Sequence, residues 1–151
     1  MSMARFTIRV YGLLLHEGSV LVADEIIKGQ RITKFPGGGL EYGEGLKDAL
    51  VREIREEIGV MAFDLAHYYT TDFFQRSTFH QEEIQVISVY YRFYVAAPEA
   101  LPVAQEPFTF QNPGEGAEAF RWLPLQSARA EDVSLPIDRV VLTKLLEAAR
   151  P

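Results

Sequence analysis

An α/β (α+β) fold, with helices packed on the faces of a β-sheet, is predicted by three features of this 151-residue sequence. Strand-like and helix-like stretches are interleaved along the chain rather than gathered into separate halves. The run EIQVISVYYRFYVAA, residues 83–97, is β-branched and aromatic on both faces, which predicts a central strand. Residues 46–58 and 137–148 carry apolar side chains at helical spacing.

In chain order, FTIRVYGLLL (6–15) alternates Phe6, Ile8 and Val10 with Thr7, Arg9 and Tyr11 and then becomes wholly apolar. A strand is expected there, half exposed first and buried later. Glu17-Gly18-Ser19 is a turn signal and Val20–Ala23 a returning strand, so the first 24 residues read as a hairpin. Residues 25–34, EIIKGQRITK, read as a polar loop whose Lys28, Arg31 and Lys34 suit a solvated connector at least as well as a substrate. Gly37, Gly38 and Gly39 read as a glycine-rich loop without regular structure. A helix then runs from Leu46 to a natural stop at Gly59. A strand is expected within 61–74, a polar loop at RSTFHQEE (76–83), and the central strand after it. Prolines 98, 102, 107 and 113 with Gly114 and Gly116 break the next stretch into a long loop, of a length that is often functional. EAFRWLPL (118–125) reads as a strand ending at Pro124, with a short helix after it. Ile137, Val140, Val141, Leu145 and Ala148 then mark a closing amphipathic helix. There is no internal repeat, linker or low-complexity segment, and the length suits one domain over residues 1–151.

Hydrophobic residues at 48% and charged residues at 24% are globular usage, which excludes a disordered chain. No apolar run approaches the ~20 residues that span a bilayer, and the start MSMARFTIRV lacks a signal peptide's apolar core, so no membrane association and a cytoplasmic location are expected. The absence of cysteine removes disulfides, thiolate metal sites and cysteine nucleophiles together. Any metal must then bind oxygen or imidazole, and His16, His67 and His80 show no ligand spacing. A net charge of −6 argues against bulk nucleic acid as a partner. A small anionic substrate remains compatible if a cation stands between it and the carboxylates.

The helix beginning at Leu46 is the anomaly. At 100° per residue, Leu46, Leu50, Ile54, Ile58 and Val51 share an arc of about 140°, and Asp48, Arg55 and Arg52 lie on the opposite, wet side. Glu53, Glu57 and Glu56 fall around Ala49, against the edge of the apolar arc. Three carboxylates so crowded repel one another, and partial burial raises that cost. Hard divalent cations relieve it: Mg²⁺ takes a few carboxylates, retained waters and phosphate oxygens. Backbone carbonyls of the glycine stretch can add a further oxygen, and Arg52 can fix carboxylate orientation.

Gly38, five residues, Glu44, seven residues, Arg52-Glu53, aliphatic Ile54, any residue, Glu56-Glu57, any residue, Gly59 and aliphatic Val60 resemble the Nudix box at every fixed position. Phe35-Pro36-Gly37 before it and FRWLPL (120–125) near the C-terminus are similar to the usual context of that box. The resemblance to the Nudix hydrolase (MutT-like) family implies a Nudix fold: a mixed β-sheet sandwiched between α-helices, with the box forming a loop–helix–loop site. It implies hydrolysis of a nucleoside diphosphate linked to another moiety, by water attack on the diphosphate, with Mg²⁺ or Mn²⁺. Carried over by position, Glu53, Glu56 and Glu57 would be metal ligands, with the Gly37 carbonyl a further one, and Arg52 and Glu44 would orient them. The general base stays open among Glu53, Glu56 and, as some members use a glutamate from a C-terminal loop, Glu115 in PGEGAEAF, with Glu118 second.

Substrate contacts lie outside the box. Arg9 and Arg76 are the candidates for phosphate, and Phe35, Tyr68 or Tyr90 for stacking a base, although strand aromatics are mostly core and exposed arginines mostly solubilise. The partner is expected to be a small nucleotide-derived molecule. Many members of the family pair as homodimers, an assembly that the pattern here neither requires nor forbids. Two other classes share the resemblance. A nucleotide-sensing module without catalysis commonly lacks box glutamates, which are all present here, and an isopentenyl-diphosphate isomerase type of enzyme uses a cysteine, which this chain lacks.

Overall fold

The computed structural model describes residues 4–78 and 83–150, so His80 and the middle of the RSTFHQEE stretch lie outside the described residues. In chain order the elements are β1 (Arg5–Leu13), β2 (Leu15–His16), β3 (Ser19–Ile27), β4 (Gln30–Lys34), β5 (Gly37–Gly39), α1 (Leu46–Ile58), β6 (Phe63–Thr70), β7 (Ile84–Tyr94), β8 (Glu118–Pro124) and α2 (Pro136–Ala149). Among the described residues this is an α+β chain with two α-helices. It divides into two compact units, Met1–Leu13 with Pro36–Ala96 and Leu14–Phe35 with Ala97–Pro151. Among the described residues no helix is long and apolar enough to cross a membrane.

The first unit is a mixed four-stranded sheet in the order β5-β1-β7-β6, with β1 and β7 parallel and the other pairs antiparallel. β7 is interior, as its apolar pattern predicts, and Val89, Tyr90, Tyr91 and Phe93 are buried. β1 is exposed or half-buried through Arg9 and buried from Val10 onward, so the expected gradient holds, although Phe6 faces solvent. Along α1, Ala49, Leu50 and Ile54 are fully buried, each large side chain contributing about 1.5–3 kcal/mol. Leu50 lies beside Gly12, where an added Cβ would overlap the Phe93 ring, so the missing side chain lets helix and sheet approach. α1 ends at Gly59 in the left-handed region (φ 81°), whose N–H donates to the Arg55 carbonyl.

Two sequence expectations need correction in this unit. The glycine triad is a strand, β5, with Val10 opposite Gly38, Arg9 opposite Gly39 and Tyr11 opposite Gly37. Glycine weakens a strand but does not forbid one, and here the absence of side chains is what permits the fit. At Gly37 (φ 148°) any Cβ would collide with the Val10 carbonyl oxygen and stand 2.8 Å from Tyr11 Cα. The opening hairpin is also not formed by β1, whose partners are β5 and β7; only the two-residue β2 pairs back onto β3.

In the second unit β3 is the middle strand, antiparallel to β8 on one side and to β2 and β4 on the other. Its segment Val20–Ala23 is fully buried. The polar stretch 25–34, expected to be a loop, is instead the end of β3, a turn at Lys28-Gly29 with positive φ at both residues (50° and 74°), and β4. Lys28, Gln30 and Arg31 are exposed there, but the polar side chains at the end of β4 are paired across the ladder. Buried Thr33 donates its hydroxyl to Asp24 (2.7 Å), and buried Lys34 pairs with Glu25 (3.2 Å). Asp24, fully buried, also accepts from Arg121 Nε and Nη2 (2.6 and 3.1 Å) and from the Phe108 N–H (3.1 Å), which pins the long loop after Ala100. A 3₁₀ turn follows at Ala130–Asp132. In α2, Ile137, Val141 and Leu145 are buried as expected; Leu142 and Asp138 join them, whereas Val140 is half-buried and Ala148 exposed.

Candidate active site

β5 lies at the edge of its sheet. The Gly12 N–H donates to the Pro36 carbonyl, and the Leu40 N–H to the Ile8 carbonyl. By the alternation of an antiparallel ladder, Gly38 turns its backbone groups toward β1, while the carbonyls of Gly37 and Gly39 point away from it. The Gly39 carbonyl accepts from Arg52 Nη2 at 3.1 Å. The Gly37 carbonyl faces the same way.

Arg52, expected on the wet side of the helix, folds back and ties the box together, because five acceptors surround it. Its Nε donates to Glu44 Oε2 at 2.6 Å and its Nη2 to Glu44 Oε1 at 2.9 Å, a bidentate pair. Its Nη1 donates to Glu53 Oε1 at 3.0 Å and to Glu56 Oε2 at 3.2 Å, with Glu41 a further 3.7 Å ion pair. Glu44 in turn accepts the Glu41 N–H at 3.0 Å, which closes the loop before the helix. Arg52 beside it holds the Glu44 carboxyl below the usual carboxylate range, with the Glu41 N–H adding to the effect. Glu44 first, and Glu53 after it, raise the Arg52 pKa, so the guanidinium stays charged throughout any working pH.

Glu53 sits directly over Gly38: a Cβ there would stand 2.5 Å from the carboxylate carbon and from Oε1. The glycine is therefore a cradle for the Glu53 carboxylate as well as a strand residue. Glu53 is mostly shielded (14% exposed), Glu56 is open (60%), and Glu57 has one carboxylate oxygen buried. Glu41, Glu44, Glu53 and Glu56 thus face a single guanidinium. Among the described residues no three acidic or imidazole side chains already converge as a cage, and Arg52 engages Glu53 and Glu56. The donor set nevertheless fits a hard cation. All its atoms are oxygens, Mg²⁺ asks for only one or two carboxylates besides waters and substrate phosphate, and the cluster carries excess negative charge.

The remaining sequence candidates divide. Arg9, opposite Gly39, lies one strand from the box; its Nε donates to the Tyr11 hydroxyl at 2.7 Å. Tyr11 stacks on Tyr90 at 5.3 Å, and Tyr90 is fully buried. Arg76 bridges to Gln85 and lines a groove of about 210 Å³ with Arg5, Phe6 and Phe74, at the far end of β1 from the glycine pairing. Phe35 is fully buried and presents no face for a base to stack on. Tyr68 is half-buried on β6. Glu115 belongs to the second unit, where its two oxygens accept the backbone N–H groups of Lys28 (2.7 Å) and Gly29 (2.8 Å) and so cap the β3–β4 turn. Glu118 begins β8, half-buried. Lys34 is taken by Glu25, and Arg31 lies over the Phe108 ring at 5.2 Å. Tyr11 and Glu41 escaped the sequence reading. Strand alternation placed Tyr11 on the Arg9 face, but nothing in the sequence marked its hydroxyl.

The NUDIX domain family model matches residues 4–145 of this chain. A MutT NUDIX hydrolase from Burkholderia pseudomallei superposes with a TM-score of 0.67 at 18% identity, over 93% of this chain and 98% of its own. The E. coli ORF135 protein gives 0.66 at 20% identity, over 98% and 95%. A MutT protein from Methanosarcina mazei Go1 gives 0.63 at 21% identity, over the whole of both chains. At these identities the structures share the fold.

Proposed function

The chain belongs to the NUDIX family, a family of pyrophosphate-cleaving hydrolases, and on that premise we propose that it is a divalent-metal-dependent pyrophosphohydrolase for a small nucleotide derivative. The observation that carries this reading is the Glu53 carboxylate seated on Gly38 while Arg52 clamps Glu44, Glu53, Glu56 and the Gly39 carbonyl. Glu53, Glu57 and the Gly37 carbonyl would hold Mg²⁺ or Mn²⁺, with Glu56 joining when Arg52 releases it. When bound, the metal neutralises pyrophosphate oxygens and acidifies a water.

The chain's own residues do the rest. Arg52 fixes the direction of Glu53, and Glu44 fixes Arg52, so that carboxylate is oriented before substrate arrives. The general base is assigned to Glu53 or Glu56; Glu56 suits proton uptake because it is open and keeps one long bond to Arg52. Glu115 ranks third, since both its oxygens serve the hairpin turn. Arg9 is assigned to substrate phosphate, and Phe35 and Arg76 are given no role at the chemistry. We take residues 1–151 as one NUDIX domain, supported by a family match that runs across both units. A cytoplasmic enzyme on small molecules is in keeping with the acidic charge, and the retained box carboxylates favour hydrolysis over a sensor role.

The test is a screen of nucleoside triphosphates, ADP-ribose, NADH, nucleotide sugars and dinucleoside polyphosphates with Mg²⁺ and with Mn²⁺, read by product chromatography. Cleavage of a phosphoanhydride in at least one class, lost in EDTA, is expected. Tight binding of a nucleotide without cleavage would overturn hydrolysis in favour of sensing.

A further inference from the structure

The Arg52 guanidinium carries five N–H donors and makes five hydrogen bonds, one from Nε and two from each terminal nitrogen. It is saturated, and a fourth carboxylate still stands beside it. Glu41 Oε1 lies 3.7 Å from Nη1, within ion-pair distance but too far for a hydrogen bond. Among the described residues, the other three carboxylates within ion-pair distance of Arg52, those of Glu44, Glu53 and Glu56, all accept a bond from it.

The five bonds are not equally easy to give up. Nε and Nη2 are held by shielded Glu44 at 2.6 and 2.9 Å, and Nη2 also by the Gly39 carbonyl at 3.1 Å. Nη1 divides between shielded Glu53 at 3.0 Å and open Glu56 at 3.2 Å, and the longer, exposed bond is the weaker. If Glu56 turns to a divalent cation, one Nη1 donor loses its acceptor, and the side of the guanidinium that orients Glu53 loses a restraint. Glu41 is placed to restore it. Its N–H donates to Glu44 Oε1 at 3.0 Å and its carbonyl accepts the Glu44 N–H at 3.1 Å, so its backbone is tied to the same residue that fixes Arg52. Its side chain is exposed, and needs to advance only about 0.8 Å to reach a charge-assisted bond of about 2.9 Å.

We propose that Glu41 is a positioning residue that takes over Arg52 Nη1 when Glu56 passes to the metal, so that Arg52 keeps Glu53 aimed both before and after the exchange. The inference rests on the proposed metal dependence. Glu41 is not a metal ligand in this scheme: its carboxylate acts through Arg52, and only once Glu56 has left. That condition separates it from a carboxylate that merely adds negative charge to the cluster, whose effect would not depend on Glu56.

The experiment compares wild type, Glu41→Gln, Glu56→Ala and the double variant in two measurements without substrate, a calorimetric titration with Mn²⁺ and thermal melts in EDTA. Glu41→Gln should weaken Mn²⁺ binding about two- to fivefold when Glu56 is present. In the Glu56→Ala background it should leave Mn²⁺ binding unchanged, because no exchange at Nη1 then accompanies binding. In EDTA the dependence reverses. Glu41→Gln alone should shift the melting temperature by less than about 1 °C, since Nη1 keeps its two partners, and in the Glu56→Ala background should lower it by about 1–3 °C. Equal weakening of Mn²⁺ binding in both backgrounds, or equal shifts in the EDTA melts, overturns the proposal. If wild type bound no Mn²⁺, the metal-dependent reading would fail, and the EDTA melts would still decide whether Glu41 takes over Arg52.

Discussion

Gly38→Ala separates the two roles of the glycine strand. Gly38 is not in the left-handed region, so alanine fits its backbone, and the only obstacle is the Glu53 carboxylate, 2.5 Å from the new Cβ. Ordinary contact begins at 3.4 Å, so the carboxylate must withdraw by 3.4 − 2.5, about 0.9 Å. Because it ends a flexible side chain, the retreat costs the fold little, and the stiffer unfolded chain offsets part of it; the net change should stay within about 1 kcal/mol. A catalytic group displaced by about 1 Å, however, costs on the order of 10²-fold in rate. The contrast is Gly37→Ala, where a positive φ and a collision with the Val10 carbonyl cannot be relieved by moving a side chain; about 3 kcal/mol of stability should be lost. Thermal melts and kcat/KM for both variants decide the matter. Wild-type kcat/KM in Gly38→Ala, or a melting-temperature loss equal to that of Gly37→Ala, would refute the cradle.

Three further outcomes follow from the same contacts. Glu44→Gln removes the charge that orients Arg52 and should lower turnover about 10–100-fold. Its pH signature has a fixed sign. Arg52 lowers the folded-state Glu44 pKa, so Glu44's contribution to stability is complete above the usual carboxylate value of about 4.3 and is lost as pH falls through the lowered one. Melts of wild type and Glu44→Gln should therefore differ by a constant amount at pH 6–8 and converge in stronger acid. Glu115→Ala should cost about 1 kcal/mol from the uncapped turn and leave turnover within a few-fold; a loss of 10² or more would return the base role to Glu115. Arg121→Ala strands the buried Asp24 carboxylate and should destabilise by about 3–5 kcal/mol in chemical denaturation.

The box was legible because its chemistry demands a fixed spacing: a helix sets Arg52, Glu53, Glu56 and Glu57 by geometry alone, and Gly59 marks its end. The central position of β7 was legible from apolar faces, and the long loop from its prolines. β5 was not, because three glycines carry no strand propensity and pair only where β1 already offers an edge. Nor was β4, whose Thr33 and Lys34 look solvated until Asp24 and Glu25 are brought across from β3 to pair with them. The wheel placed Arg52 on the wet side since it knows nothing of acceptors from another element. Substrate candidates were least legible: a buried Phe35 and an Arg76 at the far end of β1 look, in sequence, no different from Arg9.

The central claim is that the Glu53 carboxylate over the glycine strand, with Glu57 of the same helix, makes pyrophosphate hydrolysis depend on a divalent cation. Its most direct measurement is the Mg²⁺-dependent release of phosphate-containing products by wild type and by the Glu53→Gln, Glu57→Gln double variant, with circular dichroism confirming that both are folded. Activity that rises with Mg²⁺ in wild type and is absent from the folded double variant is the predicted result. Wild-type turnover in the double variant would contradict the account.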